Sequence, residues 1–560
     1  MNRFSSFERG GFCLFLFMTP LIFLMAGLST VSSGEIVVPR DYGSIQEAID
    51  AASVGDVVHV NEGVYEENLV VDKNVTLIGD KAIIKGDGIR DTVRIVSRDA
   101  KFVGFNIVAD GLSWGSGIYA KAYGAYITDN VVCNHTYGIH LFDSSSIVLK
   151  NNRIYNNKFN LEVWGLTIEQ FIHDIDNSNT VNGKRVYYLV GVNGFVVPHD
   201  AGYIGVVNSS DVLIRDANLS CNAEGILLAY SRSCCICNNT IARNEFGIRL
   251  VVSDNNTLNQ NHIYGKSWTG VLLDSSAWNV ISGNVIERNT FGMYLSTSVL
   301  LGLNSRKNYL ENNNVSDNYC GAKLYGVCDN LFVQNYFVDS EIGVEMSGSK
   351  GNLFYRNFFA NNKFQVDTWG SGDSWNEDYP MGGNYWSDYN ATDLHSGPYQ
   401  NETGSDGIGD MPYSIDARNE DEYPLIGPIT VFDVGLWNNT ICHIDIVSNS
   451  TISNFQLDVQ QRLIGFNATG EMGTGFCRVT IPNIIVQGLW EGNFTVLVDR
   501  KEPTVRNWTD NMFTYVYFTY QHSTHEVMII PEFPSIIMLI FIGFSVITLI
   551  VREKIYTNGK

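Results

Sequence analysis

Two acidic residues near the end of a repeated pattern are the first candidates for chemistry. Glu345 and Asp367 are 22 residues apart and occupy the same position of a recurring four-residue phrase. If consecutive repeats lie one above the other, their carboxyl groups are separated by about 5 Å, the spacing of neighbouring strands. Glycoside hydrolysis needs two carboxyl groups about 5–10 Å apart. The two residues are therefore a candidate catalytic pair, and two like charges on an exposed ladder are the alternative interpretation.

The same position of the phrase carries a mixed set of side chains in the other repeats. Each phrase is a Gly, an apolar residue, a variable residue and a second apolar residue. On a strand the two apolar residues point inward and the variable residue points outward. The candidate substrate-binding residues are Tyr119, His140, Glu162, Arg249, Tyr294 and Lys323. This mixture suits a glycan-binding face, above all if Trp114, Trp164 or Trp268 borders it, but an ordinary solvent-exposed sheet looks the same.

The interval between phrases predicts the fold that would position these residues. The phrases begin at Gly117, Gly138, Gly225, Gly247, Gly270, Gly292, Gly321 and Gly343, with steps of 21 to 29 residues apart from one long gap. An Asn before an apolar pair recurs with the same period. Three short strands and three turns use about 22 residues, the length of one coil of a parallel β-helix. We expect the repeated Asn residues to form structural ladders at the turns.

The first residues of the repeat region support a capped β-helix. Ser44-Ile-Gln-Glu47 is a capping box, and Ile45, Ala48, Ile49 and Ala52 share one face of the helix that follows. A short amphipathic helix can cover the open apolar end of a stack of coils.

Residues 43–56 and 60–67 resemble the opening of the pectin-lyase-like superfamily. The Gly-Ile-x-Leu and Asn-Asn repeats resemble the NosD-type periplasmic β-helix family, which shares a carbohydrate-binding and sugar-hydrolase repeat. Residues 382–389 and 406–410 are similar to the close of such domains in archaeal surface proteins. The resemblance covers about residues 36–430 and implies a right-handed parallel β-helix. It does not specify an activity, because the superfamily includes lyases, hydrolases, epimerases, adhesins and non-enzymes.

The predicted fold is all-β, with a β-helix, a small immunoglobulin-like sandwich and a C-terminal hydrophobic anchor helix. We expect a signal peptide at 1–33 and a β-helix at 34–380, which has an N-terminal capping helix and an insertion at 165–204. A β-helix cap with an Asp/Gly loop follows at 381–430, and the sandwich occupies 431–527. The segment 528–560 contains a Pro-Glu-Phe-Pro motif, a transmembrane segment and a basic tail.

Both ends of the chain indicate export. Arg3 and Arg9 precede an apolar stretch that small residues follow, as in a secretory signal; an uncleaved anchor is the alternative. Residues 536–551 form an uncharged apolar run before a basic tail. Residues 531–534 resemble the sorting motif of archaeal surface proteins that an archaeosortase trims and re-anchors. We expect the mature protein at the outer face of a membrane, held by a helix or by a lipid.

The net charge of the chain and its potential metal ligands limit which partners and cofactors it could bind. The formal net charge is −22 and no basic stripe is present, which argues against nucleic acid. Asp393, Asp406 and Asp410 lie in a Gly-rich loop and are candidate calcium ligands, with a plain Gly-Asp turn as the alternative. Copper, which the NosD resemblance implies, is not supported because the His residues are scattered. Cys442 and Cys477 are candidates for a disulfide.

The sequence therefore predicts an exported, membrane-anchored protein that binds a glycan or supports the cell envelope without catalysis. The first alternative is a polysaccharide lyase or hydrolase acting on the face of the β-helix, and the second is a NosD-like copper-processing factor. A deep groove with clustered acids on the coil face would favour the enzyme.

Overall fold

The structure is a computed structural model that describes residues 34–109, 114–298, 301–370, 372–438 and 440–532. It is a right-handed parallel β-helix followed by an antiparallel β-sandwich. In the described part of the chain the α-helices are Ile45–Ala51 and Asn483–Trp490, and Ile168–Phe171 is a 3-10 helix. The predicted signal peptide and C-terminal anchor lie outside the described residues, and no helix within them is long and apolar enough to cross a membrane.

The first stack of coils is built from three parallel sheets. The sheet with the repeated phrase, here called the Gly face, contains Leu69–Val71, Val93–Ile95, Ser116–Ala120, Tyr137–Phe142 and Phe159–Trp164. A second sheet contains Glu35–Val38, Val57–Val60, Thr76–Gly79, Lys101–Val103, Tyr126–Thr128, Val148–Lys150 and Asp174–Ile175. The third contains Gly63–Tyr65, Ala82–Gly86, Asn106–Ala109, Val131–Cys133, Arg153–Tyr155 and Thr180–Val181.

The second stack repeats this arrangement. Its Gly face contains Ala201–Val207, Glu224–Ala229, Phe246–Val251, Thr269–Asp274, Phe291–Ser298, Cys320–Tyr325, Ile342–Ser347 and Phe364–Trp369; Leu303–Asn304 pairs with its fifth strand. A second sheet contains Asn193–Val196, Ser210–Arg215, Cys235–Cys237, Thr257–Asn259, Val280–Ser282, Tyr309–Glu311, Leu331–Val333 and Leu353–Tyr355. The third contains Asn218–Ser220, Thr240–Ala242, His262–Tyr264, Val285–Glu287, Asn314–Ser316, Tyr336–Val338, Phe358–Ala360 and Tyr385–Trp386.

The register within each stack follows the predicted ladder, but the predicted single stripe is divided between two separate sheets. Tyr119 lies beside His140, which lies beside Glu162, in the first stack. In the second stack Arg249 is paired with Leu272, and Glu345 is paired with Asp367. Residues at the same phrase position therefore lie one above the other in each stack.

The repeated Gly is required by close contact between coils. A Cβ on Gly270 would lie 2.6 Å from the carbonyl oxygen of Gly292, in the next coil. A Cβ on Gly343 would lie 2.5 Å from the carbonyl oxygen of Gln365. Asn160 and Gln365 replace the Gly in the last phrase-bearing strand of each stack. A side chain fits at these positions because the regular stack ends there.

Gly270→Ala is expected to destabilise the β-helix by about 1–3 kcal/mol, because the added methyl group forces two coils apart. The matched control is Gly370→Ala, since a Cβ on Gly370 meets nothing within 4 Å among the described residues. Thermal unfolding of both variants followed by circular dichroism measures the difference. Equal melting temperatures for the two variants would contradict the steric explanation.

The Asn ladders are confirmed as structural features. The Oδ1 of Asn284 accepts a hydrogen bond from the backbone N–H of Asn261 at 2.9 Å. Its Nδ2 donates to the carbonyl of Leu258 at 3.0 Å and to Oδ1 of Asn313 at 2.9 Å. Asn284 thus satisfies backbone groups of the preceding coil and donates to the side-chain amide of the next Asn in the ladder.

The ends of the β-helix are closed by different devices. At the N-terminal end Ser44 accepts a hydrogen bond from the N–H of Glu47 and caps the helix Ile45–Ala51, as predicted. At the other end the indole ring of Trp375 stacks on Phe354 and that of Trp386 stacks on Phe359. These two rings cover the last apolar ladders, together with the short strand pairs His395–Ser396 with Glu402–Thr403 and Tyr413–Ser414 with Glu420–Asp421.

The insertion at 165–204 joins the two stacks instead of projecting away from them. Within it Thr180–Val181 and Lys184–Val190 form an antiparallel hairpin. Lys184–Val190 then pairs in parallel with Ala201–Val207. The third sheet of the first stack therefore continues into the Gly face of the second stack, and the two Gly faces do not form one sheet.

The sandwich consists of two antiparallel sheets that share one apolar core. One sheet contains Ile429–Trp437, Thr440–Ser448, Thr474–Pro482, Phe513–Gln521 and Val505–Thr509; the other contains Thr451–Asp458, Leu463–Thr469, Thr524–Pro531 and Phe494–Val498. The described residues of the sandwich thus form nine strands and a helix. Cys442 and Cys477 are both buried and free, so the suggested disulfide is absent from the described structure.

Candidate functional site

The two stacks meet at an open groove of about 810 Å³. The backbone N–H of Asn160 donates to the carbonyl of Cys221, so the last phrase-bearing strand of the first stack touches the second stack here. The lining residues are Thr136, Tyr137, Asn157, Lys158, Phe159, Glu162, Trp164, Cys221, Arg243, Asn244, Glu245, Phe246, Gly265, Lys266, Trp268 and Thr290. The groove therefore exists because the insertion offsets one Gly face from the other.

Glu162 is the acidic group on the first-stack side of the groove. Only 5% of the residue is exposed, and its Oε2 lies 3.0 Å from Nε2 of His140, outside hydrogen-bond geometry. Burial raises the pKa of Glu162 to about 9, and the negative charges of Glu224 and Glu245 add to the effect. Burial lowers the pKa of His140 to about 4. At neutral pH Glu162 is therefore a protonated acid beside an uncharged imidazole.

Glu245 is the carboxyl group on the second-stack side. It is half-buried, and Oη of Tyr137 donates a hydrogen bond of 2.8 Å to its Oε2. Burial raises the pKa of Glu245, while the Tyr137 hydrogen bond and the positive charges of Lys158 and Arg249 lower it. The net effect of these opposing contributions is a raised pKa for Glu245. Two carboxyl groups in different environments, one almost fully buried and one half-buried, are an arrangement suited to acid–base chemistry.

A buried ion pair lies behind these two acids. Nη1 of Arg249 is 2.9 Å from Oε1 of Glu224, and Oη of Tyr203 donates to Oε2 of Glu224 at 3.2 Å. The guanidinium carbon of Arg249 lies 3.8 Å from the ring centre of Trp164. Because Arg249 is 1% exposed, the expectation that it stands on the outer surface is wrong. It packs against Trp164, which lines the groove.

Aromatic rings extend along the Gly face on both sides of the acids. On the second-stack side the ring centroids of Phe246 and Trp268 are 5.4 Å apart, and those of Trp268 and Tyr294 are 6.2 Å apart. On the first-stack side Tyr137 and Phe159 are 5.4 Å apart. Trp164 and Trp268 both line the groove, as the sequence suggested for a glycan face, whereas Trp114 is not among its lining residues.

The remaining predicted residues lie on the two Gly faces, with Tyr119 on the first stack and Lys323, Glu345 and Asp367 on the second. Tyr119 packs edge-on against His140, with ring centroids 5.3 Å apart. Lys323 donates a hydrogen bond of 2.7 Å from Nζ to Oε1 of Glu345. Glu345 and Asp367 are neighbours in register, as predicted, but neither is among the residues that line the groove.

The predicted calcium ligands serve the backbone of their loop. The carboxylate of Asp393 accepts hydrogen bonds from the N–H groups of Asp406 and Gly407, and Asp410 accepts from the N–H groups of Leu394 and His395. No three His, Cys, Asp or Glu side chains converge as a metal site within the described ranges. These hydrogen bonds are those expected of the Gly-Asp turn, the alternative interpretation of this loop, and calcium binding by Asp393, Asp406 and Asp410 stays a prediction.

Sequence reasoning missed Glu224, Glu245 and Tyr137. Glu224 precedes the Gly of its phrase, and its ladder continues through Phe246, Thr269, Phe291, Cys320 and Ile342. A charged residue in a ladder of uncharged neighbours was a detectable signal. Tyr137 and Glu245 could not have been paired from the sequence, since they are 108 residues apart and meet only across the junction of the stacks.

The β-helix matches one known family. Residues 169–300 and 298–391 match NosD, described as a periplasmic copper-binding protein. This part of the repeat region is NosD-like. No curated protein matches the chain.

Solved structures with a related fold include the A-module of a mannuronan C-5 epimerase from Azotobacter vinelandii. The match has 16% sequence identity and a TM-score of 0.28, and it covers 60% of this chain and 97% of that chain. A DFA-IIIase from Arthrobacter chlorophenolicus without its lid has 11% identity, coverages of 60% and 99%, and a TM-score of 0.31. The Dettilon tailspike protein has 11% identity, coverages of 89% and 94%, and a TM-score of 0.24. Scores this low do not transfer a site or an activity.

The NosD-like repeat region does not offer an evident copper site. Copper prefers clustered His, Cys or Met ligands. His140 is the histidine nearest the groove acids, and it contacts Glu162 and the rings of Tyr119, Tyr137 and Phe142. Across the residues that the structure describes, no group of three potential His, Cys, Asp or Glu ligands is present. The residues do not fit copper.

The raised pKa of Glu162 predicts a pH-dependent stability. The folded protein retains the Glu162 proton up to a pKa of about 9, whereas the unfolded chain loses it near 4.5. Because the folded state binds more protons between these values, the contribution of Glu162 to the free energy of unfolding falls as the pH rises. We expect Glu162→Gln to become progressively more stable than the wild type from pH 5 towards pH 9. Melting temperatures of both proteins across this range test it; a constant difference would contradict the assignment.

Proposed function

We propose that this chain is an exported enzyme that hydrolyses glycosidic bonds of a polysaccharide bound along the Gly face. The observation that supports it is that two carboxyl groups, the almost fully buried Glu162 and the half-buried Glu245, line one groove together with aromatic rings. A groove lined by aromatic rings with a few convergent polar groups is a typical ligand site.

In the proposed reaction the carboxyl group of Glu162 transfers its proton to the glycosidic oxygen as the bond to the anomeric carbon breaks. The carboxylate of Glu245 either attacks the anomeric carbon or removes a proton from the water that attacks it. If Glu245 attacks, water then hydrolyses the glycosyl ester, gives its proton to Glu162 and frees the Glu245 carboxylate. If Glu245 acts as the base, it keeps the water proton, and proton exchange with solvent resets both carboxyl groups. The hydrogen bond from Tyr137 orients the Glu245 carboxylate and lowers its pKa.

The aromatic rings on both sides of the acids suit an extended chain. Sugar rings present apolar faces that stack on aromatic side chains. Trp164, Trp268 and Tyr294 would hold sugar units on one side of the scissile bond, and Tyr137 and Phe159 would hold them on the other.

Non-catalytic glycan binding is the second candidate, and the aromatic ladder also favours it. In either case we propose that the segment 1–33 directs export and that the immunoglobulin-like sandwich is a spacer. We also propose that the segment after residue 532 attaches the protein to the outer face of a membrane. The periplasmic description of the NosD family supports export.

Incubation of the purified protein with a panel of neutral and acidic polysaccharides, followed by measurement of new reducing ends, tests the proposal. We expect release of reducing ends from at least one polysaccharide. Glu345→Gln is the control, because Glu345 has the same phrase position as Glu162 but does not line the groove. If polysaccharides bind but none is hydrolysed, the result supports non-catalytic glycan binding. If Glu345→Gln loses turnover, the catalytic site lies at the other end of the β-helix, near Glu345.

Trp268→Ala is expected to weaken oligosaccharide binding about tenfold, the upper range for loss of one stacking ring. Trp268 is 44% exposed at the groove. Trp278→Ala is the matched control, since Trp278 is 52% exposed and is not among the groove residues. Isothermal titration calorimetry compares the two variants. Equal losses would show that the ligand does not use the groove.

A further inference from the structure

A second cavity lies between the β-helix and the sandwich. Its volume is about 540 Å³, within the range of roughly 300–1,000 Å³ that is common for small-molecule sites. The β-helix contributes Tyr309, Tyr355 and Arg356 to its walls, and the sandwich contributes His443 and Asp445. We call this cavity the interdomain cleft.

A buried ion pair joins the two domains at the cleft. Nη1 of Arg356 lies 2.9 Å from Oδ2 of Asp445, and the side chains are 4% and 7% exposed. Nε2 of Gln334 donates to the same Oδ2 at 2.9 Å, and Nη2 of Arg356 donates to Oγ1 of Thr480 at 3.0 Å. These contacts fix the positions of both charged groups before any ligand arrives.

Three buried polar atoms of the cleft residues have no hydrogen-bond partner among the residues described. They are Nε of Arg356, Oδ1 of Asp445 and Nδ1 of His443. Buried polar groups in folded proteins are nearly always hydrogen-bonded, so this set calls for a partner. The Arg356 Nε–H is a donor and the Asp445 Oδ1 is an acceptor, so the partner must be able both to accept and to donate.

The charge and shape of the cleft restrict the ligand further. Arg356 and Asp445 neutralise one another, and Glu311 adds an acidic side chain to the wall of the cleft, so an anionic ligand is disfavoured. Phe513 and the two tyrosines provide apolar ring surfaces beside the unpartnered polar atoms. A neutral molecule with several hydroxyl groups and an apolar face fits both requirements, and a sugar ring has this chemistry.

We propose that the interdomain cleft binds a neutral sugar unit, with one hydroxyl group donating to Oδ1 of Asp445 and another accepting from the Nε–H of Arg356. The cleft is lined by other residues than the groove, so binding there does not require turnover at Glu162 and Glu245. A sugar held between the domains also stabilises their contact, because it satisfies groups from both.

The full-chain protein is titrated with the methyl glycosides of glucose, galactose, mannose and N-acetylglucosamine, with methyl glucuronide and glycerol as comparison ligands, by ligand-observed NMR. We expect at least one neutral glycoside to bind and Asp445→Asn to weaken it at least tenfold. Thr440→Trp, which fills the cleft from an exposed wall, is expected to abolish binding without breaking the ion pair. Thr451→Trp, an exposed threonine on the opposite sheet, is the matched control and should bind as the wild type does.

Each other outcome overturns the proposal. Failure of every neutral glycoside to bind would mean that ordered water fills the cleft. Tighter binding of methyl glucuronide, or equal binding of glycerol, would contradict a neutral sugar unit. Binding that Trp268→Ala removes and Thr440→Trp leaves intact would belong to the groove. If Asp445→Asn does not fold, the comparison of glycoside binding by Thr440→Trp and by Thr451→Trp tests the proposal.

Discussion

Glu162→Gln is expected to lower the turnover of a bound polysaccharide by about 10²–10⁴-fold, the usual contribution of a positioned general acid. Gln retains the size of the side chain but has no acidic proton to give to the leaving oxygen. Because Glu162 is almost completely buried and its Oε2 has no hydrogen-bond partner in the described structure, the substitution should leave the groove intact. Steady-state kinetics should show a fall in kcat with little change in KM.

The pH dependence separates this role from a structural one. With a pKa of about 9, Glu162 is protonated through the neutral range, so kcat should fall on the alkaline side as the acid ionises. Glu162→Gln should lose this alkaline limb together with most of its activity. A substrate with a good leaving group, such as a nitrophenyl glycoside, should recover much of the lost rate because it needs less protonation. Unchanged kcat in Glu162→Gln, or no recovery with the activated substrate, would contradict the assignment.

Glu245→Gln should also lower the turnover of the polysaccharide, but with a different dependence on the leaving group. Its carboxylate is needed on the other side of the scissile bond, so a better leaving group should not restore turnover. Glu341→Gln is the matched control, since Glu341 precedes its phrase Gly by the same two residues and pairs with Lys363 on the surface.

The stacking of coils was predictable because it depends on local, periodic signals. The phrase around Gly247 does lie on the phrase around Gly270, with Ile248 paired to Val271. The cap at Ser44 and the Asn ladder through Asn284 follow from the same kind of signal. A period of about 22 residues fixes which residues are neighbours within a stack, and it places Glu162 and His140 side by side.

The groove was not predictable because it is formed where the period is broken. The hairpin at Lys184–Val190 continues one sheet and offsets the next Gly face. Nothing in the repeat specifies how far the coil shifts after such an interruption. The sequence therefore does not predict that Glu245 contacts Tyr137. The sequence therefore favoured Glu345 and Asp367, which the regular period makes neighbours, over acids that meet across the interruption.

Arg249→Met is expected to destabilise the β-helix by about 3–5 kcal/mol, because it leaves the carboxylate of Glu224 buried without its charge partner. Glu224 is completely buried, and burial raises its pKa while the guanidinium of Arg249 lowers it. Without Arg249 the carboxyl group should take up a proton, so the loss of stability should be smaller at pH 5 than at pH 8. Urea unfolding at both pH values measures the change in the free energy of unfolding.

Two comparisons isolate the charge from the packing of the long side chain. Arg243→Met removes an exposed arginine from the same groove and should cost little, since no buried partner is left behind. The double variant Glu224→Gln with Arg249→Met removes both charges and should recover most of the lost stability, because a buried pair contributes far less than the penalty for breaking it. A double variant as unstable as Arg249→Met alone would show that the stacking of Arg249 on Trp164, and not its pairing with Glu224, holds the floor of the groove in place.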